Sequence, residues 1–376
     1  MFRSTLSAHK TLRWMAAFLL VLALLSINFG AALAAGNGPS AVYVQTNEAG
    51  GNAVAIFQRL SDGSLSLSAT VPTGGLGSGA ALGSEGSVVL SQDGRWLFVV
   101  NAGSNDISTF RVKPGGLVLV GIADSGGLSP VSVTNYKDVL YVLNAGGAGN
   151  IAGFSIEAAG QLTALPGSSR PLSGASVGPA QISFSRDGST LVVTEKATSM
   201  IDTYAVGADG LASGPVTYPA SGTTPYGFAF TQQGTLVVSE AFGGAPLASA
   251  VSSYDVSNGQ FIVLSASVPT GQTAACWIAI SRNGKFAYST NAGSGSVSAY
   301  RVGNDGSLSL IDGAAGLTGA GSSPIDAGVS ADGQYLYVLN GATHNVSAFV
   351  IQADGMLASI GTFEGLPASS AGIAAW

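Results

Sequence analysis

An all-β fold, a seven-bladed β-propeller closed by its N- and C-terminal strands, is predicted by three short patterns that each recur seven times along the 376 residues. The first is an apolar run that ends in Asn or Glu, as in WLFVVN and TLVVTE. The second places an aromatic residue three positions after a β-branched one, and the third is a tight turn, most often Asp-Gly. Length alone suggests two or three domains, but a repeat of about 49 residues predicts a single ring.

Each pattern corresponds to part of one four-stranded blade. The apolar runs are rich in β-branched and aromatic residues, as a buried strand requires. The recurring aromatic residues predict packing between blades, and the Asp-Gly pairs supply the positive φ of a hairpin turn. Small and apolar residues alternate before most of the apolar runs, which is typical of the inner strand of a blade. The apolar runs end at Asn47, Asn101, Asn144, Glu195, Glu240, Asn291 and Asn340.

The two ends of the chain are predicted to complete one blade together. The first repeat starts at a second strand, AVYVQTN, without an inner strand before it, and the chain ends in AGIAAW, which matches the start of an inner strand. We therefore expect residues 371–376 to pair beside residues 41–47. This pairing closes the ring and removes its exposed edges.

The first 34 residues have the order of an export signal. Three basic residues precede an apolar run over residues 14–27, and Ala32 and Ala34 form a small-x-small cleavage pattern. We therefore expect a signal peptide at 1–34, a single propeller domain at 35–376, and a secreted or cell-envelope protein. An uncleaved membrane anchor is the alternative, although the apolar run is short for a membrane span.

Charge and composition exclude several classes of function. Without the predicted signal, 11 Lys and Arg face 20 Asp and Glu, and this acidic balance disfavours nucleic acid or an anionic membrane as partner. The one cysteine, Cys276, is interpreted as a small buried residue. The mature chain has one histidine, His344, and a histidine-based metal site requires more than one. We expect no metal, no cofactor, no membrane span in the mature chain, and a monomer.

Strand order predicts a ligand site at the opening of the central channel. The start of each inner strand and the end of each second strand come to the same face, where polar ends lie over an apolar wall. Its ligand would be an unidentified small molecule or surface partner. The predicted ligand-binding mouth consists of Gln181, Asn101, Asn144, Asn291, Asn340, Tyr226, Trp277, Asp326 and Lys196.

Glu195, Glu240 and His344 are the candidate catalytic residues on this face. Two carboxylates in adjacent blades are able to separate their pKa values and act as acid and base, and a histidine is able to act as a general base. Each glutamate has an alternative structural role, which is to cap a loop by accepting backbone N–H groups. The alternative for His344 is an ordinary exposed loop residue, and the sequence leaves these alternatives open.

The repeats resemble the seven-bladed lactonase family through their VLNAG-type second strands and their SRDG or SADG turns, over essentially all of residues 41–376. That family includes bacterial 6-phosphogluconolactonases and fungal 3-carboxymuconate cyclases, and it overlaps the YVTN-repeat surface propellers. The resemblance implies the propeller fold and, as an activity, lactone hydrolysis or cycloisomerisation.

Most residues that the active members carry are replaced here. Their PRH segment keeps its proline but has Ala180 and Gln181 in place of arginine and histidine, and their HPH segment reads Ser-Pro-Val at residues 129–131. Glu195 matches the glutamate of the family, but a glutamine does not act as a general base. The resemblance therefore implies a degenerate site in a binding or surface-interaction module. The alternative is an active lactone hydrolase or cycloisomerase with a rearranged site around Glu195 and Glu240.

Overall fold

The computed structural model describes residues 40–376, and the predicted signal peptide lies outside the described residues. The described chain forms 29 strands in seven antiparallel sheets, and each sheet is one blade. The prediction of an all-β, seven-bladed propeller is therefore confirmed.

The strands follow one another around the ring. Strands β1 to β7 are Ala41–Gln45, Ala53–Arg59, Leu65–Pro72, Val88–Leu90, Trp96–Asn101, Asp106–Lys113 and Gly116–Asp124. Strands β8 to β16 are Pro130–Tyr136, Val139–Asn144, Asn150–Ile156, Leu162–Ala164, Arg170–Pro171, Pro179–Phe184, Thr190–Glu195, Met200–Val206 and Ala212–Pro219. Strands β17 to β24 are Pro225–Phe230, Leu236–Glu240, Ala250–Asp255, Ile262–Pro269, Ala275–Ile280, Phe286–Asn291, Ser296–Val302 and Leu308–Leu317. Strands β25 to β29 are Pro324–Val329, Tyr335–Asn340, Asn345–Ile351, Leu357–Phe363 and Ala371–Ala375. Two short 3-10 helices lie at Phe242–Gly244 and Ser257–Gly259.

Blade 1 contains both ends of the described chain. Its sheet has the order β29-β1-β2-β3, in which Val44 is paired with Ile373. The backbone N–H of Trp376 donates to the carbonyl oxygen of Ala41 at 3.0 Å. The predicted closure of the ring is thus confirmed, because the inner strand of blade 1 comes from the C-terminus.

The other six blades each use consecutive strands. Blade 2 consists of β4–β7, blade 4 of β13–β16, blade 5 of β17–β20, blade 6 of β21–β24 and blade 7 of β25–β28. In each of these five the four strands pair in chain order, from the inner strand to the outer one. Blade 3 differs because its outer strand is divided into β11 and β12, which both pair with β10.

The core lies between the blades, as the recurring aromatic residues predicted. All seven are 2% exposed or less, and full burial of one such side chain stabilises the fold by roughly 1.5–3 kcal/mol. They are Phe57, Phe110, Phe154, Tyr204, Tyr254, Tyr300 and Phe349.

Two turn glycines have a second role in this core, beyond their positive φ. A Cβ added to Gly63 would lie 2.3 Å from the ring of Tyr335, and one added to Gly160 would lie 2.5 Å from the ring of Trp96. These turns therefore pack directly on an aromatic ring of the adjacent blade, and no larger residue fits there.

Candidate functional site

The ends of the inner and second strands meet at one face of the ring, which we call the mouth. In register, Pro130 lies opposite Asn144, Pro179 opposite Glu195 and Pro324 opposite Asn340. This arrangement follows from antiparallel pairing, because the start of one strand lies beside the end of the next.

One long connection lies across the mouth. Residues 73–87 join β3 to β4 and form 15 residues, whereas the other connections between blades have five to seven. We call this segment the mouth loop. Asn47 holds its first half, because its Nδ2 donates to Ser78 Oγ at 2.9 Å and to the carbonyl oxygen of Ala80 at 2.7 Å.

The second half of the mouth loop binds blades 3 and 4. Ser84 Oγ donates to the carbonyl oxygen of Val131 at 2.8 Å, and the N–H of Glu85 donates to the carbonyl oxygen of Ala180 at 3.1 Å. Lys196 Nζ donates to the carbonyl oxygen of Gly83. A loop that leaves blade 1 thus covers the channel opening as far as blade 4.

The side chain of Glu85 extends from the mouth loop into the channel. Its side chain is buried, and its Oε2 has no hydrogen-bond partner among the described residues. Oε2 lies against Gly227 of blade 5, where an added Cβ would be only 2.0 Å away. Burial and the charge of Asp326 raise the pKa of Glu85 well above its usual value, and the N–H of Ile278 opposes this rise. The protonated, uncharged form of Glu85 is therefore favoured in the folded protein.

Asp326 lies in the channel wall of blade 7. Its Oδ1 accepts the N–H of Ala327 at 2.7 Å, and its Oδ2 accepts the N–H of Ile373 at 3.1 Å. Burial raises its pKa to about 8, and these two hydrogen bonds oppose the rise. Asp326 therefore holds the inner strand of blade 1 rather than presenting a free charge to a ligand.

Lys196, Tyr226 and Trp277 come together at the mouth. Lys196 Nζ lies 4.6 Å from the centre of the Tyr226 ring, which lies 5.0 Å from the Trp277 ring at 46°. Burial lowers the pKa of Lys196 to about 8. Cys276 is buried beside them, and burial raises its pKa to about 12, so the thiol stays protonated and is a poor nucleophile.

A cavity of about 270 Å³ opens beside Lys196, between blades 3 and 4. Its apolar lining includes Leu82 from the mouth loop and Leu172, Val177 and Pro179 from the adjoining connection and strand. A wider cleft of about 730 Å³ lies between the turns of blades 2 and 3, and includes Asp93. It belongs to the opposite face of the ring.

The four asparagines predicted to form the mouth lie inside the blades instead of projecting over the channel. All four are fully buried. Asn101 Nδ2 donates to Asp106 Oδ1 at 2.5 Å and to Ser108 Oγ at 2.8 Å. Asn291 and Asn340 each donate to a serine seven residues later, at 2.9 and 2.8 Å, and Asn144 donates to the carbonyl oxygen of Ser125 at 3.1 Å. These side chains connect the second strand to the third strand or the adjoining loop.

Gln181 forms a bridge between two blades. Its Nε2 donates to the carbonyl oxygen of Phe228 at 2.9 Å, and its Oε1 accepts the N–H of Phe228 at 2.6 Å. Ala180, immediately before it, is fully buried below the mouth loop. Neither residue offers an unpaired polar group to the mouth.

Glu195 is fully buried and belongs to a pair of carboxyl groups. Its oxygens accept the N–H of Ser173 at 3.1 Å and the hydroxyls of Ser173 and Thr198 at 2.5 and 2.7 Å. Asp202 shares the N–H of Ser173 at 3.0 Å and accepts the hydroxyl of Thr217 at 2.6 Å. Burial, and then the hydrogen bond and charge of Glu195, raise the pKa of Asp202 to about 7.

Glu240 has the same kind of surroundings in blade 5. Its carboxylate accepts the N–H of Gly222 at 2.8 Å and the hydroxyls of Ser252 and Ser267 at 2.5 and 2.7 Å. His344 lies half-buried in the turn after β26, where its backbone N–H donates to Asn340. In the described part of the chain, no hydrogen bond joins the imidazole to either glutamate.

Sequence reasoning missed two features of this site. The pairing of Asp202 with Glu195 was not predicted, although Asp202 stands at the position where Ser108, Ser298 and Ser347 follow an asparagine by seven residues. The mouth loop was also missed. Its signal was the interval of 54 residues between Asn47 and Asn101, which is the longest in the repeat.

Two kinds of feature are missing from residues 40–376. Over this range, no group of three or more His, Cys, Asp or Glu side chains is arranged to hold a metal ion. None of the helices formed by these residues has the length and apolarity that a membrane crossing requires.

Comparison with known proteins agrees with this fold. The chain is similar to the periplasmic gluconolactonase of Pseudomonas aeruginosa, with 18% identity, a TM-score of 0.67, and coverage of 89% of this chain and 98% of that one. It is similar to a candidate 6-phosphogluconolactonase of Bacteroides fragilis, with 19% identity, a TM-score of 0.66, and coverage of 90% and 98%. It is also similar to a hypothetical selenium-binding protein of Sulfolobus tokodaii, with 14% identity, a TM-score of 0.66, and coverage of 89% and 93%. Identities this low show the fold alone.

No protein of curated function matches the chain. The sequence model of the family described as "Lactonase, 7-bladed beta-propeller" matches residues 39–166 and 247–370, which together make up more than half of the chain. The protein therefore belongs to the seven-bladed β-propeller lactonase family.

Proposed function

We propose that this protein is an exported, non-catalytic member of the lactonase family that binds a ligand at its mouth. The observation that carries this proposal is the position of Gln181, whose amide is closed on the backbone of Phe228. In the active members that the sequence resembles, a histidine stands at this place. A glutamine amide has no basic group, and both of its polar atoms are already used here.

The surroundings of Glu195 support the same proposal. Its carboxylate accepts three hydrogen bonds from Ser173 and Thr198 and is fully buried. A general base has to reach a proton of its substrate at about 3 Å, directly or through one water. A carboxylate held inside a blade instead stabilises the connection before β13, which is the structural role that the sequence left open.

Export is part of the proposal and rests on the order of residues 1–34. A phosphorylated sugar lactone is made inside the cell, so export disfavours it as the ligand. Among the described residues, Lys196 is the one cation at the mouth, whereas a phosphate usually requires an arginine fork or several donors. We expect a monomer, which size-exclusion chromatography with light scattering would test.

Lactone hydrolysis is the second candidate function. It is favoured by the fold that this chain shares with the periplasmic gluconolactonase of Pseudomonas aeruginosa. Under this candidate, Glu195 and Glu240 would form a rearranged acid–base site, after movement of the hydroxyl groups that now bind them.

A hydrolysis assay separates the two candidates. The mature protein and Glu195→Gln would be compared on a panel of unphosphorylated lactones, with Glu364→Gln, an exposed glutamate, as the matched control. We expect no saturable turnover by any of the three proteins. General acid–base catalysis raises a reaction rate by roughly 100- to 10,000-fold, and this site has no available base to provide it. Saturable turnover by the wild type that Glu195→Gln abolishes and Glu364→Gln keeps would refute the proposal.

Restoring the family residues gives a complementary result. We expect no lactonase activity from the double variant Ala180→Arg, Gln181→His, because Ala180 is fully buried below the mouth loop and residues 129–131 lack both histidines. A gain of activity would mean that the rest of the catalytic site is intact.

A further inference from the structure

Lys196 is a half-buried cation that has no anionic partner among residues 40–376. Its Nζ donates to the carbonyl oxygen of Gly83, which is a neutral acceptor, and lies over the ring of Tyr226. The ion pairs formed within residues 40–376 are Arg59–Asp332 and Arg95–Asp93, neither of which includes Lys196. A partly desolvated ammonium group is stabilised most by a carboxylate or another anion, and this site provides none.

The cavity beside Lys196 has the size and lining for a small apolar body. Its volume is about 270 Å³, which corresponds to roughly nine water molecules at about 30 Å³ each. Leu82, Leu172, Val177 and Ala148 supply apolar walls, and Ser176 is the one hydroxyl among its lining residues. Apolar walls with one fixed polar contact are typical of a site that orients a small ligand.

We propose that this cavity binds a small monocarboxylate with an apolar body, whose carboxylate pairs with Lys196 Nζ in place of the carbonyl oxygen of Gly83. This inference rests on the proposed binding function and adds the chemical class of the ligand. The apolar body lies against Leu82 and Ala148, two lining residues with accessible apolar surface, and the mouth loop moves as far as its contact at Gly83 requires. Replacing a neutral acceptor by a charged one strengthens the hydrogen bond from the ammonium group.

Four other ionisable groups at the mouth favour their uncharged forms. Glu85 and Asp326 are buried carboxyl groups whose pKa values are raised, and the thiol of Cys276 stays protonated. The phenol of Tyr226 also keeps its proton, because burial raises its pKa. Glu195, the residue before Lys196, is fully buried in blade 4, where its oxygens accept from Ser173 and Thr198. Lys196 is thus the charged group among the lining residues of the cavity.

Calorimetric titration of the mature protein with benzoate and hexanoate tests the site. We expect both to bind with a Kd of about 1 mM or tighter, which is within the range for ligands of this size. The amides benzamide and hexanamide should bind at least about tenfold more weakly, since they lack the charge. Inorganic phosphate should also bind more weakly, because it has no apolar body. Equal binding of acids and amides, or of phosphate and benzoate, would overturn the assignment.

Two lysine variants locate the binding. Lys196→Met keeps the length of the side chain and should weaken benzoate binding at least about tenfold. Lys137→Met is the matched control, because Lys137 also lies over a tyrosine ring, at 5.1 Å from the centre of Tyr136, but is exposed on the opposite face. If the wild type and Lys196→Met bind benzoate with equal affinity and have the same melting temperature, the assignment of the binding site to Lys196 is wrong.

Gly83→Ala tests the exchange with the mouth loop. Gly83 has a φ of +61°, and an added Cβ would lie 3.2 Å from the hydroxyl of Tyr226 and 3.3 Å from Lys196 Nζ. The strain should loosen the loop from Lys196 and raise the affinity for benzoate about two- to fivefold. Unchanged or weaker binding would contradict the inference that the carbonyl oxygen of Gly83 competes with the ligand for Lys196 Nζ.

The lactone panel keeps the two proposals apart. Benzoate binding together with lactone hydrolysis would refute the non-catalytic function and leave the carboxylate site standing. Absence of both benzoate binding and hydrolysis would refute the carboxylate site alone.

Discussion

The carboxyl pair in blade 4 predicts that Asp202→Asn stabilises the protein above neutral pH. Asp202 and Glu195 are both fully buried and share the N–H of Ser173. An asparagine has the same shape, its oxygen can still accept from Ser173, and its amide can donate to Thr217. The substitution therefore removes one ionisable group and keeps the hydrogen bonds.

The size of the effect follows from the raised pKa of Asp202, which is about 7 in the folded chain against 3.8 as the ordinary value. Below pH 3.8 the folded and unfolded states both carry the proton, and this group contributes nothing that depends on pH. Between 3.8 and 7 the unfolded state releases the proton while the folded state keeps it, so the free energy of unfolding falls as pH rises. A tenfold change in proton affinity is worth about 1.36 kcal/mol, and the whole fall is therefore about 4 kcal/mol. Local relaxation reduces such penalties, so we expect about 2–4 kcal/mol.

Urea unfolding followed by tryptophan fluorescence at pH 4 and pH 8 measures this effect. The difference in free energy of unfolding between Asp202→Asn and wild type should grow by about 2–4 kcal/mol from pH 4 to pH 8, and this difference cancels the titration of Glu85 and Asp326. Asp124, the exposed last residue of β7, supplies the control, and Asp124→Asn should follow the wild-type curve. A constant difference between Asp202→Asn and wild type would show that Asp202 does not hold its proton in the folded protein.

Two further predictions concern the ends of the chain. Deletion of residues 371–376 should destabilise the domain by roughly 4 kcal/mol or more, because it exposes the edge of β1, removes Ile373 from the core and takes the N–H donor from Asp326; an unchanged melting temperature would contradict closure as the source of stability. The mature protein should begin near Ala35 and be found outside the cytoplasm; N-terminal sequencing of exported material that returned Met1 would count against cleavage and favour an anchor.

The fold was open to prediction because each blade repeats the same local requirements. An Asp-Gly turn needs positive φ at one position, and Phe57 and its equivalents need an apolar neighbour in the next blade. These requirements depend on residues close together in the chain, so the sequence shows them directly. Closure by β29 was also readable, because the missing inner strand at one end matched the additional strand at the other.

The site was less open to prediction because it depends on where side chains point after the second strand ends. The strand order placed Asn101 and Asn340 on the correct face, but their amides turn into the blade to bind Ser108 and Ser347. Leaving a buried amide NH₂ group without an acceptor costs about 1–3 kcal/mol, and hydroxyl groups seven residues away accept from it. Neither this preference nor the pairing of Glu195 with Asp202 follows from the strand pattern.

The sequence by itself determined the number of blades, the positions of the strands and the way the ring closes, since these follow from periodic burial and turn chemistry along the chain. It also determined which family residues are missing at Ala180 and Gln181. Only the tertiary structure decided that the mouth loop reaches blade 4, that Glu85 lies buried against Gly227, and that Lys196 has no carboxylate partner within the described part of the chain. These contacts join residues up to 142 positions apart, and their energies depend on burial and on neighbouring charges, which exist only after the blades have come together.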